Sequence, residues 1–170
     1  PYFLNKNFDK IVIPAHDEQR INFKENLIVT TGTLVNLNKI SIKKKDLEIF
    51  TRFIDKKKNI ISVLIGGSGK SSYINENELD NIITNLNKLN YKYEVIYCFS
   101  RRTPISLKNY IVSHKKRFHK IFPKNKINPY WFLIKYSDFF FVTEDSVSMT
   151  SDIIATGKPV FVIPIKKIKK

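Results

Sequence analysis

The feature that most constrains this chain is an alternation of unbroken apolar runs with segments of helical spacing. Residues 59–65, 93–99, 138–143 and 159–163 are strand-length runs rich in Ile, Val and Phe. Strands that are apolar throughout, rather than at every second position, are buried on both faces, which describes a parallel sheet covered by helices. The intervening segments supply those helices. Leu79, Ile82, Ile83, Leu86 and Leu89 fall on one helical face, behind a capping-box-like pair, Asn75 and Glu78. Thr103-Pro104 predicts an N-cap followed by proline in the first turn, opening a helix to about His114. Asn128-Pro129 opens a short helix through Tyr136, and a last helix runs from about Ser146 to Ala155, stopped by Gly157. Upstream, residues 10–14 and 26–30 read as short strands. Residues 41–54 read as a helix with Ile42, Leu47, Ile49, Phe50, Phe53 and Ile54 inward. The expected fold class is α/β, a Rossmann-like parallel sheet with helices on both faces.

Composition bounds the function. The 170 residues suit one domain, and no apolar run is long enough to span a bilayer. The chain opens without an initiator Met or a signal-peptide layout and stops just after a strand-like run, so a fragment of a longer protein is expected. A single cysteine, Cys98 in an apolar run, excludes an internal disulfide and fits a reducing, cytoplasmic setting. His16, His114 and His119 have no neighbouring Cys or carboxylates at ligand spacing, so no metal site is expected. The net charge of +15 invites a polyanion. The lysines are nevertheless scattered among Asn and Ile, as in a chain-wide compositional bias. Specific nucleic-acid binding is therefore not expected, while peripheral contact with an anionic membrane surface stays open.

Parallel sheets bind ligands beyond the carboxyl ends of their strands. Three loops fall there. The first, Gly66-Gly67-Ser68-Gly69-Lys70-Ser71, contains Gly-Lys-Ser, but the phosphate loop of nucleoside triphosphatases needs a glycine where this chain has Leu64. A tight turn remains, with either no ligand or backbone N–H groups of Gly66, Gly67 and Ser68 turned to a phosphate. The second, Ser100-Arg101-Arg102-Thr103, places two guanidinium groups before a helix N-terminus, as an anion site does. Adjacent side chains diverge, so only one arginine is expected to face a ligand; the other reading is a surface ion pair for one or both. In the third, Thr143-Glu144-Asp145-Ser146-Val147-Ser148, the hydroxyls of Ser146 and Ser148 and the first helical N–H groups suit a phosphate. Asp145 reads as a helix cap or a site residue. Asp152, one turn on, reads as a ribose ligand or a solvated acid.

Several segments together carry a resemblance. They are Asn128-Pro129-Tyr130, Ser137-Asp138, Val142 to Met149, Ala155 to Val160, Ser100 to Pro104 and Ile65 to Ser68, with His16-Asp17 and Thr31-Gly32 upstream. In their order along the chain they resemble the "elongated mitochondria" mitochondrial-fission family and its bacterial relatives, over nearly the whole chain. The resemblance implies a two-lobed, GT-B glycosyltransferase-like architecture. Residues 1–37 would be the tail of the first lobe and the crossover, and residues 38–170 the second, nucleotide-binding lobe. It implies a nucleotide-sugar as donor substrate, no separate cofactor and an unidentified acceptor, such as an envelope glycolipid. Phosphate and nucleotide contacts would come from Gly66, Gly67, Ser68, Ser100, Arg101, Arg102, Thr103, Thr143, Asp145, Ser146, Ser148 and Asp152. His16 and Asp17, at the end of a first-lobe-type strand, would be a base and its orienting acid, or else a plain polar strand-end pair. Because plant members are associated with mitochondrial division, the resemblance equally implies the alternative of a non-catalytic scaffold that binds a protein or membrane partner.

Overall fold

The computed structural model describes residues 8–18, 26–37, 40–67, 72–74, 76–123 and 127–167. The elements are β1 (Ile11–Pro14), α1 (Ala15–Glu18), β2 (Leu27–Thr30), α2 (Lys44–Phe53), β3 (Asn59–Ile65), β4 (Ser72–Tyr73) and α3 (Glu76–Asn87). There follow β5 (Tyr93–Phe99), α4 (Ile105–His114), β6 (Lys120–Ile121), α5 (Tyr130–Tyr136), β7 (Phe139–Thr143), α6 (Val147–Ile154), β8 (Val160–Ile163) and β9 (Lys166–Lys167). Strands β6-β5-β3-β7-β8 form one sheet in that order, and every pairing in it is parallel. Counted from β3, this is the 3-2-1-4-5 order of a Rossmann-like fold, whose order reverses between β3 and β7.

Period-two alternation divides the core between the two faces of the sheet. Ile60 and Leu64 of β3, Ile96 of β5, and Phe140 and Val142 of β7 meet Phe50 of α2, Phe132 and Leu133 of α5, and Ile153 of α6. The residues between them, Ile61, Val63, Ile65, Val95 and Tyr97, meet Leu79, Ile83 and Leu86 of α3 and Leu107 and Ile111 of α4. Phe50 lies fully buried, with ring centroids 5.1 Å from Phe132 and 5.9 Å from Phe122. Burial of such a ring contributes on the order of 2–3 kcal/mol. The one polar residue among the middle positions of β3, Ser62, shares a 2.6 Å hydrogen bond with Ser137. Gly157 ends the turn after α6 with φ +71°, in the left-handed region open to glycine.

The structure departs from the sequence-based expectation in several places. Helix α2 starts at Lys44 rather than residue 41. Helix α4 has Pro104 as its N-cap, not Thr103, and receives no side-chain cap. The pairs β4–β9 and β6 and the single turn α1 carry no readable periodicity, being only two to four residues long. The capping box expected of Asn75 and Glu78 lies outside the described residues. Strands β1 and β2 pair in parallel with each other and form a separate two-stranded sheet. The segment after them is seated on α6: a Cβ on Gly32 would stand 2.7 Å from Ser151 Oγ, which accepts a 3.2 Å hydrogen bond from Thr33 N.

A buried histidine gives the fold a pH dependence. His119 is 2% exposed, and neither ring nitrogen has a hydrogen-bond partner among the described residues. Burial first, then the nearby charges of Lys115 and Lys116, push its pKa down from 6.5 to about 4. As the pH falls through 6.5 the unfolded ring takes up a proton that the folded ring refuses until about pH 4. Stability is thus fully present above that window and declines across it, at up to about 1.4 kcal/mol per pH unit. Urea denaturation from pH 7.5 to 4 is expected to show this slope, and His119→Phe to flatten it without loss of stability at neutral pH.

Candidate functional site

The carboxyl ends of β3, β5 and β7 are level. Ile65 is in register with Phe99, and Leu64 with Val142. The loops leaving these strands therefore converge on one end of the sheet, beside the point where the strand order reverses. Two different structures are built there.

The first is a closed web around Gly66 and Gly67. The Gly66 N–H donates to Thr143 Oγ1 at 2.7 Å, and the Gly67 N–H donates to Asp145 Oδ2 at 2.9 Å. Thr143 Oγ1 donates onward to Asp145 Oδ1 at 2.6 Å. The Thr103 hydroxyl lies 2.9 Å from Ile65 O and 2.5 Å from Gly66 O, donating to these carbonyls. Those carbonyls at the strand end draw Thr103 away from the capping role expected of it. Asp145 likewise does not cap α6. Its side chain, only 4% exposed, is held by the web and by Arg102, whose Nη2 stands 3.6 Å from Oδ2. The cap is Ser146, whose Oγ accepts from Met149 N at 3.3 Å. The backbone donors expected to cradle a phosphate at Gly66 and Gly67 are thus engaged by Thr143 and Asp145. Ser68 lies outside the described residues.

The second structure is an open cavity of about 680 Å³ beside this web. Its wall includes Ser100 and Arg101 from the end of β5, Tyr130 from α5, and Ser148, Met149 and Asp152 from α6. Arg101 and Arg102 diverge, the first into the cavity wall and the second onto Asp145. The turn between them is held by Arg102 N donating to Ser100 Oγ at 3.1 Å. Ser146 Oγ takes the N–H of Met149, and Ser146 O takes that of Thr150. The first-turn N–H groups of Val147 and Ser148 have no backbone acceptor among the described residues. Asp152 Oδ2 accepts a 2.6 Å hydrogen bond from the Tyr130 hydroxyl. Burial, then this bond to Asp152, pushes the Tyr130 pKa well up, so the phenol stays a neutral donor. Asp152 also faces a smaller cavity of about 340 Å³, lined by Leu34, Val35 and Trp131, and so stands between the two spaces.

Of the residues expected from the sequence, the cavity brings together Ser100, Arg101, Ser148 and Asp152. The web takes Gly66, Gly67, Arg102, Thr103, Thr143 and Asp145. His16 and Asp17 sit on the α1 turn, directly after the end of β1 at Pro14. His16 is exposed and Asp17 half-buried, with Nε2 3.6 Å from Oδ2, and neither lines a described cavity. Sequence reasoning missed Tyr130 as the partner of Asp152, although the Asn128-Pro129-Tyr130 segment was its available signal. Asn128 Oδ1 accepts from Tyr130 N at 3.1 Å and so anchors the start of that helix. Among the described residues no group of three His, Cys, Asp or Glu side chains is placed to hold a metal ion. No helix among them is long and apolar enough to cross a membrane.

Comparisons with known proteins place the chain in a family. The chain is 28% identical over 184 aligned positions to the mitochondrial fission protein ELM1 of Arabidopsis thaliana, covering 94% of this chain and 43% of that protein. It is 31% identical over 111 residues to the uncharacterized protein RP120 of Rickettsia prowazekii (strain Madrid E), covering 62% of this chain and 31% of that protein. The chain thus spans less than half the length of either relative. The family model described as mitochondrial fission ELM1 matches residues 1–170, and the chain belongs to that family.

Proposed function

We propose that residues 38–170 are the donor lobe of a GT-B-type glycosyltransferase, which takes the diphosphate and ribose of a nucleotide-sugar for transfer to an acceptor. On this reading residues 1–37 are the tail of the first lobe and the crossover. The acceptor, of a class such as an envelope glycolipid, is bound by parts of the protein outside this chain. The observation that carries the reading is the cavity beyond β3 and β5. Its wall joins one arginine, the first turn of α6 and an acid held by a tyrosine.

Each group has a role that its surroundings suit. Arg101 and the N-terminus of α6 meet the negative charge that grows on the diphosphate as the sugar leaves, so the departure needs no metal ion. Ser148 adds a hydroxyl donor to a phosphate oxygen. Tyr130 fixes the Asp152 carboxylate by one oxygen and leaves Oδ1 to a ribose hydroxyl. Asp145, by contrast, would repel a phosphate at Gly66 and Gly67, which sets the diphosphate on the Arg101 side.

Calorimetry of the intact protein with uridine, guanosine and adenosine diphosphates tests the reading. One of them is expected to bind, and Arg101→Ala to weaken it roughly ten- to a hundredfold, as for a charge-assisted hydrogen bond. Arg102→Ala is expected to change affinity by less than about threefold, because its partner is Asp145. Binding of no nucleotide, or equal losses from both variants, would leave the scaffold reading in its place.

A further inference from the structure

We propose that the end of the sheet opposite the cavity, where the chain enters β3, β5 and β6, is a docking face for the surface of an anionic lipid bilayer. The loops there carry six exposed cations: Lys56 and Lys57 before β3, Lys88 and Lys92 before β5, and Lys116 and Arg117 before β6. The three loops are joined. Asn59 N donates to Lys92 O at 3.0 Å, linking the first two. Asn87 links the second to the third, donating to His114 O at 2.8 Å and accepting from Lys116 N at 2.9 Å.

The described acids at this end are already engaged. Asp55 pairs with Lys58 at 3.8 Å, Asp138 takes the N–H of Ile60 at 2.7 Å, and Glu94 is buried against Lys120. At the opposite end cations and acids are mixed, with Glu76 and Asp80 in the first turns of α3, Glu144 and Asp145 just before α6, and Asp152 further along α6 on the cavity wall. Cations stand at both ends, with Lys43, Lys44, Lys45, Arg101 and Arg102 at the cavity end, so the acids are what set the two ends apart.

Two aromatic side chains stand out of the basic loops. Tyr91 is 76% exposed and Phe118 47% exposed, the latter with Lys116 Nζ 5.4 Å from its ring centroid. An aromatic ring flanked by cations on a loop tip suits the interface of a bilayer, where the ring enters the headgroup region and the cations meet anionic lipid. The space beside these loops is apolar. A cavity of about 300 Å³ lined by Ile82, Leu86, Leu89, Tyr93, Phe139 and Phe161 lies against the starts of the strands. A nucleic-acid strand follows a basic groove with stacking platforms. Protruding tips beside an apolar hollow match a bilayer instead.

Sedimentation of the intact protein with lipid vesicles tests this, independently of the nucleotide cavity. Binding is expected to vesicles of phosphatidylcholine mixed with phosphatidylglycerol, not to phosphatidylcholine alone, and is expected to weaken with salt. Each cation removed is expected to cost about fivefold, so joint Lys92→Glu, Lys116→Glu and Arg117→Glu is expected to weaken binding at least a hundredfold. The same reversal at Lys43, Lys44 and Lys45, at the start of α2 and the other end of the sheet, is expected to cost less than about tenfold, the loss a general charge effect produces. Tyr91→Ser with Phe118→Ser, which keeps every charge, is expected to weaken binding severalfold. Thermal melts matching the parent protein establish that the variants are folded. The proposal is overturned by absence of binding to the anionic vesicles, by equal losses from the two triple reversals, or by the basic loops binding oligouridylate while vesicle binding is unaffected by their reversal.

Discussion

Replacing Lys120 with methionine is expected to lower unfolding free energy by about 3–5 kcal/mol, because it leaves a buried carboxylate without its counter-charge. Glu94 is 3% exposed, at the start of β5 and beside the edge strand β6. One of its oxygens accepts from Asp55 N at 2.6 Å and the other pairs with Lys120 on β6. Lys120 in turn donates to Phe53 O and lies 5.2 Å from the Phe53 ring centroid. The pair therefore ties the exit of α2 to β5 and β6. The partial exposure of Lys120 lets water reach Glu94 in the variant, which places the expected loss toward the lower end of the range. Guanidinium denaturation is the measurement. The control is Lys120→Met with Glu94→Gln, which removes the uncompensated charge and is expected to recover most of the loss. If the double variant is as unstable as the single one, packing rather than charge accounts for the effect.

A methyl group at Gly67 is expected to cost about as much, roughly 3 kcal/mol, through steric overlap rather than charge. A Cβ there would lie 2.4 Å from both the carbonyl carbon and oxygen of Arg102 and 2.5 Å from its Cβ. Backbone cannot swing aside, so the turns after β3 and β5 would have to separate, breaking the Thr103 bonds that hold them. Gly66→Ala is the informative comparison. Its Cβ would stand 2.1 Å from the Asp145 carboxylate oxygens. That side chain can rotate out, at the cost of its hydrogen bonds to Gly67 N and Thr143, about 1–3 kcal/mol. The expected order of melting temperatures is parent, Gly66→Ala, Gly67→Ala, from highest to lowest. The reverse order of the two variants would mean that the Asp145 web, and not the backbone approach, holds the loop.

The sheet was legible in the sequence because a strand buried on both faces must be apolar at consecutive positions. Strands β3 and β5 fall on their predicted bounds for that reason. The short strands β4, β6 and β9 were not legible, since two residues carry no period. Loop positions at the strand ends were legible for the same topological reason. The division of labour among their residues was not. Thr103 and Asp145 have the residue types and positions of helix caps, yet the nearby Ile65 and Gly66 carbonyls and the Gly67 amide claim them. Those partners lie 37 to 78 residues away in sequence. Asp152 has the same character: its setting depends on Tyr130, 22 positions earlier. Local pattern names the residues near a strand end, and only the three-dimensional contacts divide them into those that build the loop and those that line the cavity.

Because all five main strands run the same way, the sheet has a polarity: the basic loops lie at one pole and the cavity mouth at the other. The seven-residue strands β3 and β5 set the separation at about 23 Å. A protein seated by its basic pole thus holds this cavity roughly half a bilayer's thickness above the headgroups. On the donor-lobe reading proposed above, an acceptor anchored in that same leaflet has to reach up by this height, which favours one with a long exposed glycan or a free molecule arriving from the aqueous side.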